Sequence, residues 1–414
     1  MEKPVAIVLG GTTPHILLVE KLHKRGFYVI LIDYLECPPA KSVADEHIKE
    51  STLDKETVLK VAQERHVQLV ISACIDQANS VCCYVAEKLG LPHPYSYQTS
   101  LYATDKGLMK QIMVDNGIPT SSFTTTNTIE AIDWTIIKYP AVVKPVDCNS
   151  SKGVHRVDSE EETKQRVAEA ISMSRTKTAI IEGYNQGDEI QVDCLSTEND
   201  IKVIMIRQKQ KIASRGNDMV LQSFGSVFPA PLSKEQQAQA QEIANKIAKA
   251  FGLKNTPFFY QAIVTDEGIK VLEFAPRIGG GLSYYMLNEF AGYDAVEYVI
   301  DSYLGEKMKY TPISNSHYQS TILLYMLSGR FDHISGLARL KEEGVVYETF
   351  VMKAKGDMVD GDMRSSNRVA AFVVQCNSYD ELRSKVQLAI ERVEIYDDNN
   401  KPLLNRQIYS SLYK

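Results

Sequence analysis

The segment VLEFAPRIGGG, residues 271–281, carries a carboxylate, Glu273, in an apolar run, then Arg277 behind a proline, then three glycines. Just upstream, FFYQAIVTDEGIKVLEF alternates as a β-hairpin around Asp266-Glu267-Gly268. A three-residue loop centred on Glu267 pairs Thr265 with Ile269 and Ile263 with Val271, and sets Gln261 opposite Glu273. Directly opposed side chains have Cβ atoms about 4.5–5.5 Å apart. An amide oxygen and a carboxylate so placed suit one hard cation. Mg²⁺ prefers oxygen ligands and leaves its other positions to phosphates and water. The plain alternative is a polar pair on a solvated face. Arg277 has the parity of Glu273, and a guanidinium matches phosphate or carboxylate oxygens as a fork. Glycines 279–281 let the backbone approach a ligand and turn N–H groups to an anion.

Three further stretches carry polar residues at strand ends. In VVKPVDCNSSKGV, residues 142–154, Lys144 ends a strand and a loop with Ser150, Ser151, Gly153 and Val154 follows. This is not GxxxxGKS, so a P-loop is excluded there. In IIEGYNQGDEIQVD, residues 180–193, Glu182 closes one strand and Glu189 opens the next. Carboxylates at such a junction accept from an exocyclic amine or from ribose hydroxyls, or are simply surface charges. The N-terminal VLGGTTPH follows a strand and precedes a helix, and Asp33 ends the second strand. The GxGxxG spacing is missing, which disfavours a dinucleotide site.

The elements that must position these residues follow from periodicity. Residues 5–100 alternate short apolar strands with helices of about ten residues, the pattern of a parallel sheet covered by helices. Two prolines in LPHPYSYQTS break it near 92–100. A helix is expected over 105–118, strands with polar turns from 140 onward, and one amphipathic helix over 233–252 between Ser233 and Gly252.

With 414 residues, two to four domains are expected. The net charge of −6, with no basic cluster, argues against nucleic-acid binding. No apolar run reaches the length of a membrane span. The seven cysteines are scattered without a CxxC pair, which points to reduced thiols in a cytoplasmic setting, and the eight histidines show no zinc spacing.

Taken in order, Lys106, Lys144-Pro145, the Ser/Gly loop, Glu182 to Glu189, Gln261 to Glu273 and Pro276-Arg277 resemble the ATP-grasp superfamily. The resemblance is strongest to its carboxylate–amine ligases, including L-amino acid ligases, carbamoyl phosphate synthetase large subunits and purine-pathway members. It implies a mixed α/β and α+β fold. A preATP-grasp, Rossmann-like parallel sheet would span 1–100, and an ATP-grasp domain 101–310 with a lid at about 120–190. A C-terminal α+β subdomain would span 311–414. It further implies ATP and Mg²⁺, with Mn²⁺ as the substitute metal. Lys106 and Lys144 would contact phosphates, and 147–154 would close over them. Residues Glu182, Gly183, Tyr184 and Asn185 would meet adenine, and Glu189 would hold the ribose hydroxyls. Gln261 and Glu273 would bind metal. Arg277 would stabilise the transferred phosphoryl group, and Arg215 would face nucleotide or substrate.

The activity so implied is ATP-dependent activation of a small carboxylate, an amino acid foremost, as an acyl phosphate that an amine then captures. The alternatives are a purine-pathway or carboxylase-type enzyme using formate or bicarbonate, a catalytically silent ATP-binding protein, and a nicotinamide-dependent dehydrogenase. The partners would be small carboxylates and amines, and the assembly a homodimer. One departure stands out: many members carry asparagine where this chain has Ala275.

Overall fold

Val5–Leu9 (β1) is a run of apolar residues, and four of its five are buried. In the computed structural model, which describes residues 3–148, 152–212, 222–313, 316–364 and 367–413, it lies inside a four-stranded parallel sheet. Its neighbours are Tyr28–Ile32 (β2) and Leu69–Ile71 (β4), and Glu46–Ile48 (β3) pairs outside β2. Helices Thr13–Lys24 (α1), Lys55–Glu64 (α2) and Asp76–Leu89 (α3) intervene, as the alternation requires. Burial on both faces explains why β1 and β4 read as unbroken apolar runs. Beyond the proline break come Tyr97–Thr104 (α4), a helix not foreseen from the sequence, and Lys106–Asp115 (α5).

Residues 122–190 form a smaller antiparallel sheet. Phe123–Thr126 (β5), Ala141–Pro145 (β6), His155–Val157 (β7) and Ala179–Gly183 (β8) lie in the order β5-β8-β6-β7. Glu160–Met173 (α6) packs on it through Val167 and Ala170, against Val143, Val157 and Ile181. From sequence only strands and turns are expected here, because α6 is rich in charge and contributes just three buried residues.

The remaining chain contributes Asp188–Ser196 (β9), Ile201–Lys211 (β10), Ser223–Phe228 (β11), Lys234–Ala250 (α7), Thr256–Thr265 (β12) and Gly268–Ala275 (β13). Helix α7 starts in a capping box: Ser233 accepts from the Gln236 amide, and the Gln236 side chain accepts from the Ser233 amide. Then follow Ser283–Ala291 (α8), Ala295–Leu304 (α9), Tyr318–Tyr325 (β14), Gly329–Ser335 (β15) and Leu337–Glu342 (α10). The chain ends through Glu348–Val351 (β16), Met358–Val359 (β17), Arg368–Cys376 (β18), Tyr379–Arg392 (α11) and Glu394–Asp397 (β19).

Two compact units interleave along the sequence. The first comprises Met1–Ser121, Gln191–Met205 and Leu232–Ser314. It holds the parallel sheet and the neighbouring strands β13-β12-β9. The second comprises Ser122–Ile190, Ile206–Pro231 and Asn315–Lys414. It holds the small sheet, the run β10-β11-β14-β18-β16, and the sheet β17-β15-β19. No described helix is long and apolar enough to cross a membrane.

Candidate functional site

In the first unit, hairpin β12–β13 pairs Gln261 with Glu273 as expected, but along a different register. Thr265 pairs with Gly268, not Ile269, across a two-residue turn, and Ile263 pairs with Lys270, not Val271. A β-bulge at Leu272 then restores the register, so that Gln261 meets Glu273. The cause is burial. Tyr260 donates its hydroxyl to Ala240 of α7, and Phe274 packs on Phe251 at the end of the same helix. Ile269 and Val271, fully buried, share that face through their partners Val264 and Ala262. Val271 and Phe274 are three apart, which strict alternation cannot place on one side. The bulge absorbs the odd residue and sends Glu273 to the opposite face.

Lys106 reaches that opposite face from the first residue of α5. Asp105 caps the helix by accepting from the Leu108 amide at 3.0 Å. The Lys106 ammonium lies 3.7 Å from Glu273, and its side chain is 10% exposed. One turn later Lys110 is wholly buried. It donates to Thr120 Oγ1 at 2.6 Å, and Thr120 in turn donates to the Val271 carbonyl at 2.7 Å. This brace between α5 and β13 escaped the sequence reading, although a lysine one turn after Lys106, between Met109 and Met113, signals the same helix face.

Arg277 also lies on the Gln261 face. Its guanidinium sits 5.1 Å from the ring of Phe259, two residues from Gln261 on the same strand. Nε and Nη2 each donate to Asp76 at 2.5 Å, and Nη1 donates to the Ile278 carbonyl at 2.8 Å. Burial pushes the guanidinium pKa down, but the Asp76 carboxylate outweighs it and the net shift is upward. Asp76 was not foreseen, since nothing in one sequence links positions this far apart. Gly279 has a steric reason: a Cβ there would stand 2.5 Å from Ser283 Oγ and 2.8 Å from Gln191 Nε2. Ala275, where a coordinating asparagine was sought, is buried opposite Phe259.

In the second unit, Lys144 on β6 and Glu182 on β8 are diagonal neighbours, since Lys144 pairs with Ile180 and Val142 with Glu182. They form an ion pair at 2.8 Å with side chains 10% and 3% exposed. The strand then leaves through Gly183, whose amide donates to the Ser122 carbonyl, and Tyr184, whose amide donates to the Pro140 carbonyl. The Tyr184 ring lies 5.1 Å from the Arg156 guanidinium. Asn185 follows in the same connection. Glu189 is buried between Lys209, at 3.2 Å, and Lys211, two lysines on one face of β10. Burial works to raise the Glu189 pKa, and the two lysines overcome it and hold the carboxyl below its usual range. Both lysines were missed, although KxK on a strand puts two cations on one side.

In the loop after β6, Gly153 has φ +67°, and a Cβ would meet Met173 Sδ at 2.8 Å. Val154 leads into β7. Ser150, Ser151 and Arg215 lie outside the described residues. The structure thus groups the expected residues in two sets: Lys106, Gln261, Glu273 and Arg277 in one unit, and Lys144, Gly153, Val154, Glu182, Gly183, Tyr184, Asn185 and Glu189 in the other. Among the described residues no group of three His, Cys, Asp or Glu could hold a metal ion. The N-terminal Asp33 is committed to the fold, accepting from the Gly11 amide at 2.7 Å and the Leu35 amide at 2.8 Å.

The family model of the ATP-grasp domain matches residues 137–284. That segment is an ATP-grasp domain. It contains Lys144, Glu182, Glu189, the β12–β13 hairpin and Arg277. A formate-dependent phosphoribosylglycinamide formyltransferase of Erythrobacter litoralis is 26% identical to this chain over 271 residues, which cover 61% of this chain and 65% of the relative. The chain spans 64–65% of the length of the first curated relatives it matches. An L-amino acid ligase structure from Bacillus licheniformis superposes with TM-score 0.79 at 20% identity, over 96% of this chain and all of that one. A biotin carboxylase domain of Hydrogenobacter thermophilus 2-oxoglutarate carboxylase, solved with MgADP, ADP and bicarbonate, superposes with TM-score 0.74 at 16% identity, over 97% and 92%. These superpositions show a fold shared along nearly the whole chain.

Proposed function

We propose that this protein is an ATP-dependent carboxylate–amine ligase. The observation that carries the reading is Gln261 directly opposite Glu273, with Lys106 3.7 Å from that carboxylate. The chemistry of this donor set fits a hard cation: one amide oxygen and one ionised carboxylate, facing one way beside a fixed ammonium. Gln261 and Glu273 would hold Mg²⁺, which would supply positive charge to the phosphate oxygens of ATP. With alanine at position 275, the chain offers no third side chain there.

Lys106 and Lys144 bind phosphate oxygens. Glu182 and the connection Gly183-Tyr184-Asn185 meet the adenine, and Glu189 meets the ribose. The lysine partners of both carboxylates support this reading, because they hold the two side chains in place, and those of Glu189 also keep it ionised. Ser150, Ser151, Gly153 and Val154 belong to the loop that shields the phosphates from water. A carboxylate oxygen of the substrate attacks the γ-phosphorus and ADP leaves. Arg277, with Arg215 as the second cation, neutralises the oxygens of the transferred group. The amine then attacks the acyl carbon, phosphate leaves, and the nitrogen gives up a proton.

An amino acid is the carboxylate we favour, on the likeness to the L-amino acid ligase fold. Formate or bicarbonate is the second reading, supported by the names of the transformylase and the carboxylase. A matrix of carboxylates and amines, read by ADP and phosphate release, tests both. We expect one pair to stimulate release. Glu273→Ala should lower it by about 100-fold or more, and Gln261→Ala should raise the Mg²⁺ concentration needed for half-maximal rate. Release that no pair stimulates, or that Glu273→Ala leaves intact, rejects the ligase.

A further inference from the structure

The parallel sheet has the order β3-β2-β1-β4, so the loops after β1 and β4 lie side by side at the carboxyl ends of adjacent strands. Ligands of open parallel sheets bind at such places. Asp76 stands there, as the first residue of α3 in the connection from β4. Its carboxylate meets the positive end of that helix, a favourable position for an anion. The cation it receives comes from the other end of the first unit's sequence: Arg277, one residue past Pro276 at the exit from β13.

The geometry of this pair is restrictive. A guanidinium has five N–H groups in one plane. Asp76 takes the Nε and one Nη2 hydrogen, and Ile278 takes one on Nη1. The Phe259 ring lies 5.1 Å from the guanidinium carbon. One N–H remains on each terminal nitrogen. The one on Nη2 points away from Asp76, because its other hydrogen is spent on that carboxylate, so the arginine keeps terminal donors for the oxygens of an anion. A lone arginine on a flexible stem would offer the same charge with no fixed direction.

We propose that Asp76 is a positioning residue for phosphoryl transfer: it fixes the Arg277 guanidinium so that only its terminal N–H pair meets the oxygens of the carboxylate and the transferred phosphoryl group. The proposal rests on the ligase reading above. It makes the N-terminal Rossmann-like segment a participant in the chemistry of the hairpin and not only a scaffold. Asp76 touches no substrate; it acts through Arg277. The pair is also a requirement on assembly, because the reactive end of β13 is complete only when α3 is in place.

Asp76→Asn keeps the shape and removes the charge. In it we expect kcat for ADP release to fall by about 100-fold, the cost of about 1 Å of misplacement, with KM for ATP unchanged. Asp76→Glu should recover part of kcat. A second readout is the ¹⁵N–¹H resonance of the Arg277 side-chain Nε, assigned through Arg277→Lys. It should exchange slowly in the native protein and rapidly in Asp76→Asn. A pair that only fastens the fold would lower the melting temperature and leave kcat of the folded protein intact, and that result overturns the proposal. So does an Nε–H signal unmoved by Asp76→Asn. Glu273→Ala separates the two claims. If it abolishes release while Asp76→Asn does not, positioning alone fails. If Glu273→Ala leaves release intact, the ligase reading falls, and the Nε–H signal still decides whether Asp76 holds Arg277.

Discussion

Lys144 and Glu182 show what a single residue can and cannot disclose. Each was singled out from sequence because it ends an apolar strand, and the ATP-grasp resemblance implied nucleotide contact for both. Their pairing was not, since it depends on β6 and β8 lying side by side with a diagonal offset. The pair is nearly dry, so its halves are unequal partners in a mutation. Lys144→Met leaves Glu182, 3% exposed, without its lysine, and we expect a loss of about 3 kcal/mol. The double variant Lys144→Met/Glu182→Leu should recover most of it, because an apolar pair of similar volume needs no compensation. Urea midpoints of the native protein, of Lys144→Met, of Glu182→Leu and of the double variant, read as a double-mutant cycle, check this. Asp76, Lys209 and Lys211 were illegible for the same reason. A carboxylate or lysine announces its charge in the sequence, but its partner is chosen by packing between segments far apart in the chain.

At the scale of elements, His15 on α1 is wholly buried, and its Nε2 accepts from the Ala73 amide at 3.3 Å while Nδ1 meets Thr12 Oγ1 at 2.8 Å. Protonating Nε2 would break the first contact. Burial lowers the imidazole pKa to about 4, against the ordinary 6.5. The unfolded chain therefore binds a proton between those values that the folded one refuses. Stability is complete above pH 6.5, falls as pH drops toward 4, and loses about 3 kcal/mol in all. Urea denaturation of the native protein and of His15→Gln at pH 7 and pH 4.5 should show the native protein losing stability more steeply. Equal losses would remove His15 as the cause.

Elements differed in how much they disclosed. The strands of the parallel sheet and α7 were legible because their periodicity and caps are local. Helix α6 was not, because its apolar face is thin, and α4 was hidden behind two prolines that end the preceding pattern and do not prevent a helix capped by Ser96. The hairpin gave the right pair from a wrong path. A turn one residue shorter than expected and a bulge one residue longer cancel at Gln261 and Glu273. Local rules supplied the alternation, and the demand to bury Val271 and Phe274 together supplied the exception.

At the scale of the molecule, the two units cannot be read as consecutive blocks, because each is assembled from three stretches of chain. The boundaries expected near 100 and 310 came from the proline break and from the family resemblance, and neither traces such returns. Within the first unit, α1 is tied to α9 by ions across most of the sequence. Lys21 meets Asp294 at 2.7 Å and Glu297 at 3.1 Å, and Arg25 meets Glu297 at 2.7 Å and also Asp301. These groups are partly solvated, so their worth is modest. Glu297→Ala, which removes an acceptor from both cations, should cost about 1 kcal/mol at low salt and less at 1 M. Melting curves at the two ionic strengths would show whether the network counts.

The bulge at Leu272 bears on how relatives of this chain should be compared. The residue is surplus to the ladder: without it Ala262 would still face Val271, and Gln261 would still face Glu273. The strand that carries the acid therefore has length to spare, and a descendant that lost this codon would keep both oxygen donors in place. Two proteins with the same opposed glutamine and glutamate can differ by one in the number of residues between them. An alignment that forbids a gap there would set an apolar side chain against the carboxylate and hide a pair that both proteins keep.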